Sequence, residues 1–156
     1  VYLMTDAQPD KELIKDLKLE KKNIITDFDE EKVKEIMDKA ERTIKKDSFK
    51  NSPKIMMVFD DILSNQKFLK SKTATRLATA NRHFNISYIF CSQYFKKLPP
   101  VMRCNARYTM IFPSSMSEIE KIADELTPAR MSKKQFISYL QYATKERYSF
   151  LAIKTL

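Results

Sequence analysis

Ile55-Met56-Met57-Val58-Phe59 runs straight into Asp60-Asp61, five apolar residues followed by two adjacent carboxylates. A buried strand that delivers acids to its carboxyl end can place one group on Mg²⁺ and another on the water attacking a phosphoryl group. In that chemistry Asp60 holds Mg²⁺, usually through its water shell, and Asp61 orients or deprotonates the water. Adjacent side chains on a straight strand point to opposite faces, so the chain must turn at Asp61 for both to serve one site. The plainer alternative is an acidic pair that only solvates a strand end. A second apolar run, Ile86 to Cys91, leads into Ser92-Gln93. An amide at that place can donate to a γ-phosphate oxygen and accept from the nucleophilic water, or it can simply bond to loop backbone. Arg82, Arg103 and Arg107 are expected to flank the same edge. A guanidinium there can stabilise charge on a transferring phosphoryl group, in cis or from a neighbouring subunit, although any of the three can equally be a surface arginine. Lys96-Lys97, just after Tyr94-Phe95, form a basic-aromatic cluster able to touch a nucleic-acid backbone unless the aromatics belong to the core.

Nucleotide hydrolases cradle their phosphates in a glycine-rich loop whose backbone N–H groups point at the anion. The 156 residues contain no glycine, where average usage near 7% predicts roughly eleven. A low-GC coding bias would explain this, and so would a phosphate-binding part lying outside the sequence. Val1 in place of an initiating Met favours a truncated or internal fragment. Forty-three per cent hydrophobic residues, with ten Phe and seven Tyr, argue for a packed core. No apolar run approaches the roughly 20 residues of a membrane span, and no signal peptide opens the chain. Cys91 and Cys104 lack metal-ligand spacing and read as reduced thiols, and the lone His83 makes a zinc site less plausible still. Charge is asymmetric. Residues 1–61 hold 13 Lys/Arg against 15 Asp/Glu, a net of −2, and residues 62–156 hold 16 against 5, a net of +11. Such polarity suits a polyanionic partner at the C-terminal half, or a solvated basic surface.

The elements that must position these groups alternate. Val1 to Met4 reads as the end of a buried strand, stopped by Thr5 to Pro9, with a short helix from Pro9 to about Lys18. Asn23 to Thr26 is a short strand. Asp29 to Lys46 is a helix, with Val33, Ile36, Met37, Ala40 and Ile44 at helical spacing. Lys54 to Phe59 is a strand buried on both faces, Phe68 to about Arg82 a helix, and Ile86 to Cys91 and Tyr108 to Phe112 further strands. Ser117-x-x-Glu120 and Ser132-x-x-Gln135 predict capped helices, the second with Phe136, Tyr139, Leu140 and Ala143 as its apolar face. Tyr148 to Ile153 is a last strand. The pattern predicts an α/β fold, a mostly parallel sheet flanked by helices, in one domain spanning 1–156. Ligands of such sheets bind at the carboxyl ends of the strands.

Taken together, these residues resemble the genome-packaging ATPases of large DNA viruses, in the FtsK–HerA group of DNA-pumping motors. The similar stretches are Val58-Phe59-Asp60-Asp61, Asn81-Arg82-His83-Phe84-Asn85-Ile86-Ser87, Cys91-Ser92-Gln93-Tyr94, Leu98 to Asn105, and Tyr142-Ala143-Thr144 through Leu151. The resemblance implies a RecA-like P-loop NTPase fold missing its N-terminal P-loop unit, with the Walker B strand at about 54–60 and the sensor strand at about 86–92. It makes Asp60 the Mg²⁺-coordinating Walker B acid, Asp61 the catalytic acid and Gln93 the polar sensor. Arg103, with Arg82 next, becomes the subunit-spanning arginine. ATP and Mg²⁺ are the implied cofactors. Double-stranded DNA, further copies in a ring, and capsid or portal proteins are the implied partners, acting in the virion or at a site of virus assembly, a cytoplasmic factory by preference. The family often has Gly before Arg-His where this chain has Asn81, a conservative replacement if a left-handed backbone is required. Walker A is expected just upstream or in a partner chain, so the 156 residues alone are expected to be inactive. Losing that strand from the sheet would leave a seam of unpaired backbone. Two other classes remain open: a non-catalytic nucleic-acid-binding or regulatory remnant, and a cellular conjugation or segregation translocase.

Overall fold

A computed structural model describes residues 1–5, 7–26 and 29–155. Asp6, part of the expected first turn, lies outside the described residues. By contacts the chain divides into two compact units, 1–93 and 94–156.

The first unit is built on a four-stranded, all-parallel sheet in the order β2-β1-β3-β4. The strands are β1 (Tyr2–Thr5), β2 (Ile24–Thr26), β3 (Ile55–Asp60) and β4 (Ile86–Phe90). Helices flank them: α1 (Lys11–Asp16), α2 (Glu30–Asp47), α3 (Gln66–Leu69) and α4 (Lys72–Ala80). β3 is flanked by β1 and β4, and its Met57, Val58 and Phe59 are buried in succession, so apolar residues occupy both faces. β4 is an edge strand among the described residues, and its Ile89 is 47% exposed.

Local chemistry sets the helix ends. Asp29 caps α2 by accepting from Lys32 N–H, acids fill the first turn, and Lys45 and Lys46 fill the last. The helix expected from Phe68 to Arg82 is three pieces, because Ser71 breaks it to cap α4 and residues 81–84 tighten into a 3-10 turn. Glu30 of α2 accepts from both the amide and the hydroxyl of Thr73, at 3.1 and 2.7 Å, which binds α2 to the start of α4. Without glycine, positive φ falls on Lys18, Ser48, Asp61, Asn85 and Tyr148. Asn81 is right-handed, contrary to its expected backbone role. It donates instead to the Ile86 carbonyl, and the left-handed residue is Asn85. Asn85 also donates to the carbonyls of Phe49 and Ser52, at 2.8 and 3.4 Å, tying the 48–52 turn to the entry of β4.

The second unit pairs β5 (Tyr108–Ile111) with β6 (Leu151–Lys154) antiparallel. The helices are α5 (Pro100–Cys104), α6 (Met116–Leu126) and α7 (Lys133–Ala143). Its core gathers Ile111, Ile119, Ile122, Ala123, Phe136 and Leu140. The last strand begins at Leu151, later than expected, because residues 145–149 fold into a turn closed by Ser149 N–H on the Glu146 carbonyl. Ser132 and Gln135 form the expected capping box. The cap of α6 is Ser115 instead of Ser117, and Glu118, three residues on, is turned inward to accept from Phe95 N–H and to pair with Lys121.

Candidate functional site

Asp60 and Asp61 lie at the carboxyl end of β3, between two side chains with no exposure, Phe59 before and Ile62 after. Phe59 stacks on Phe68 at 5.3 Å between ring centroids and meets Phe90 at 4.9 Å, so the acids leave a strand whose last core residue is clamped from two sides. The expected turn is present. Asp61 is left-handed (φ 51°, ψ 36°) and opens a 3-10 turn over Ile62–Ser64, closed by Ser64 Oγ on the Asp61 carbonyl. Asp tolerates this region better than most residues because its short polar side chain is not branched at Cβ and can hydrogen-bond locally. Consecutive carboxylates are thereby released from strict alternation across the sheet.

Strand register supplies the neighbours. Asp60 pairs with Thr5 of β1 on one side. On the other, Cys91 N–H donates to the Phe59 carbonyl at 2.8 Å, extending the β3–β4 ladder past Phe90. Thr5 is buried, and its hydroxyl accepts from Ala7 N–H. Cys91 reaches solvent, yet packing around its thiol, and then the Asp60 carboxylate, push its pKa above the ordinary value. Ser92 and the exposed Gln93 follow directly at the same strand ends. Among the described residues no hydrogen bond or ion pair engages either carboxylate, and no three His, Cys, Asp or Glu side chains cluster as a protein-only metal cage. Two acids on a sheet edge fit a cation that keeps most of its waters and takes its remaining ligands from a phosphate, as Mg²⁺ does.

The arginines are placed differently from expectation. Arg82 is exposed in the 3-10 turn before β4, at the amino end of that strand, so it does not flank the acids in the same sheet. Its end of the sheet is opposite because β3 and β4 are parallel. Arg103, on α5, is 9% exposed and holds Glu125 in a two-point ion pair, Nε to Oε1 at 2.8 Å and Nη2 to Oε2 at 2.9 Å. It also donates to the Leu98 carbonyl and lies 5.2 Å over the Phe95 ring. Lys96 adds a third contact to Glu125 at 2.6 Å. Under these donors the Glu125 carboxyl is held down to about 2, the Arg103 hydrogen bond being the main cause. Phe95 packs against the second unit's core. The Phe95-Lys96 half of the expected nucleic-acid cluster is therefore structural, and only an acid at position 125, 22 residues from Arg103, would have betrayed it. Arg107 is exposed, 5.9 Å from the Tyr108 ring.

Comparison with known proteins follows the same lines. Across solved structures the fold is similar to the DNA-packaging ATPase B204 from Sulfolobus Turreted Icosahedral Virus, with a TM-score of 0.63 at 14% identity over 98% of this chain and 77% of that one. It is also similar to the genome packaging NTPase B204 from Sulfolobus turreted icosahedral virus 2 in complex with AMPPCP, with a TM-score of 0.57 at 15% identity over 98% and 76%. The same NTPase in complex with ATP-gammaS gives a TM-score of 0.58 at 14% identity over 98% and 76%. At such identities the likeness establishes the α/β fold. No curated protein sequence matches the chain. The profile described as Poxvirus A32 protein matches residues 19–154, which takes in the acidic strand end, the Ser92-Gln93 strand end and most of both units. With the fold and these motifs in agreement over nearly the whole length, the chain belongs to the Poxvirus A32 protein family.

Proposed function

We propose that this chain is part of an ATP-driven motor of the FtsK–HerA type that threads double-stranded viral DNA into a capsid. The observation that carries this reading is the acid pair at the carboxyl edge of a parallel sheet, turned at Asp61, in a chain of this family. A genome packaging NTPase of similar fold has been solved in complex with AMPPCP and with ATP-gammaS, which supports nucleotide binding here. Asp60 would hold Mg²⁺, whose chemistry is to neutralise charge on the β- and γ-phosphates. Asp61, on the exposed turn, would orient the attacking water and accept its proton, while Gln93 would bridge that water and the γ-phosphate.

Of the two arginines, Arg82 suits a cross-subunit role better. It makes no ion pair among the described residues, and a head-to-tail ring sets one edge of a subunit against the opposite edge of the next. Arg103 would first have to leave Glu125. The phosphate loop is proposed to lie outside residues 1–156, making these residues one partial ATPase domain. In support, no glycine is available to build such a loop, and β4 stands at the edge of the sheet among the described residues, where a further strand could pair. Capsid or portal proteins would be its partners and a site of virus assembly its place of action. The absent glycines also favour a second reading, a remnant that kept the fold and lost catalysis.

The test is turnover. The 156 residues alone are expected to be inactive. The domain completed with its upstream segment is expected to hydrolyse ATP with Mg²⁺, and to lose about 10²-fold or more in kcat with Asp61→Asn while still binding nucleotide. Mg²⁺-dependent turnover by the 156 residues, abolished by Asp61→Asn, would overturn the partial-domain reading. A completed domain that neither binds nor hydrolyses ATP would leave the remnant.

A further inference from the structure

α7 was expected to bury Tyr139, yet it turns that residue outward. Phe136 and Leu140 face the core, while Lys134, Ser138, Tyr139 and Tyr142 occupy the opposite, exposed arc. Tyr139, Tyr142 and Tyr148 are 61, 81 and 78% exposed, more than any other large apolar or aromatic residue described. Three such exposed rings within ten residues leave apolar area in water, which marks an interaction surface. Charge selects what covers them. From Leu126 to Thr155 the chain carries Arg130, Lys133, Lys134, Lys145, Arg147 and Lys154 against the single acid Glu146. Lys133 pairs with Asp124. Among the described residues no carboxylate pairs with Lys134, Lys145 or Arg147, although the Arg147 guanidinium lies 4.7 Å over the Tyr148 ring.

We infer that this face of α7, with the 145–148 turn, is a docking surface for the phosphodiester backbone of duplex DNA. Ammonium, guanidinium and phenol groups are donors that contact phosphates without reading bases. On this surface Lys134, Lys145 and Arg147 stand against the single acid Glu146, a balance that suits a polyanion. The face is a shallow, open surface lined by Ser132, Lys134, Gln135, Ser138, Tyr139 and Tyr142, not the deep groove with stacking platforms that a single strand calls for. The inference rests on the packaging reading for its choice of DNA, but it assigns residues that the nucleotide site does not use.

Anisotropy of a labelled 30-bp duplex with the 156-residue chain, without nucleotide and from 50 to 200 mM salt, tests it. Lys134→Glu with Lys145→Glu is expected to weaken binding on the order of tenfold or more and to flatten the log–log salt slope by about 2. Tyr139→Ala with Tyr142→Ala should weaken binding severalfold. Lys39→Glu with Lys46→Glu, a matched charge change on α2, should do much less. Equal losses in the α2 and α7 charge variants would reduce the effect to net charge and overturn the assignment, as would unchanged binding by the α7 variants. Tighter, tyrosine-dependent binding of an unpaired 30-mer would overturn the duplex. None of these outcomes touches ATP turnover, so the docking surface can fail while the nucleotidase reading stands.

Discussion

Acids and arginines in this chain sit in opposite circumstances. The Asp60 and Asp61 carboxylates emerge from a clamped strand with no hydrogen bond or ion pair among the described residues, while Arg103 is tied to Glu125, Leu98 and Phe95 within its own unit. A guanidinium held at two points by a carboxylate is a structural device before it is a catalytic one. Arg103→Met is expected to destabilise the chain by about 2 kcal/mol, less than for a fully buried pair because Glu125 reaches solvent. A thermal melt checks this, and an unchanged Tm with turnover lost in the domain completed with its upstream segment would return Arg103 to a catalytic role. Acid gives a second readout. The Glu125 pKa is lowered from 4.5 to about 2, so the pair contributes fully above the ordinary value and its contribution fades as pH falls through about 2. Between about pH 4.5 and 2 the parent chain should lose more stability than Glu125→Gln. Parallel loss by both would detach the pair from the acid response.

At the level of elements, the absence of glycine leaves a measurable mark. Ser48 ends α2 at φ 70° and ψ 161°, a region that is essentially glycine's own because a Cβ crowds the backbone there. Ser48→Gly is therefore expected to stabilise the chain by about 1 kcal/mol, and a lower denaturation midpoint would contradict it. Asn85 meets a related demand at φ 54° while its amide closes the 48–52 turn. There Asn85→Ala should cost about 1–2 kcal/mol, since both the left-handed tolerance and the hydrogen bonds disappear. Helix α4 makes a related point about local signals. Its apolar spacing was legible, but Ser71 competes for the backbone and cuts the helix where periodicity alone would carry it on.

Across the whole molecule, charge is the property that points outward. With a net of −2 over residues 1–61 and +11 over 62–156, the proposed DNA partner is expected to engage the chain unevenly. Lysine acetylation footprinted by mass spectrometry should show duplex DNA protecting Lys134 and Lys145 while leaving Lys39 and Lys46 reactive. Uniform protection along the chain would remove the polarity. Among the described residues no helix is long and apolar enough to cross a membrane.

The sequence by itself determined the alternation of elements, the carboxylates at the end of β3, the amide after β4 and the capping box of α7. Each of these is local, fixed by side-chain period, strand length or hydrogen bonds a few residues apart. Tertiary structure decided the rest. Arg82 and the acids stand at opposite ends of neighbouring parallel strands, Arg103 finds Glu125 across 22 residues, and Tyr139 exchanges an expected core position for solvent. These outcomes depend on which strand lies beside which, and on which arc of a helix the core has room to cover. Both are settled by packing between residues distant in sequence, which no local pattern records.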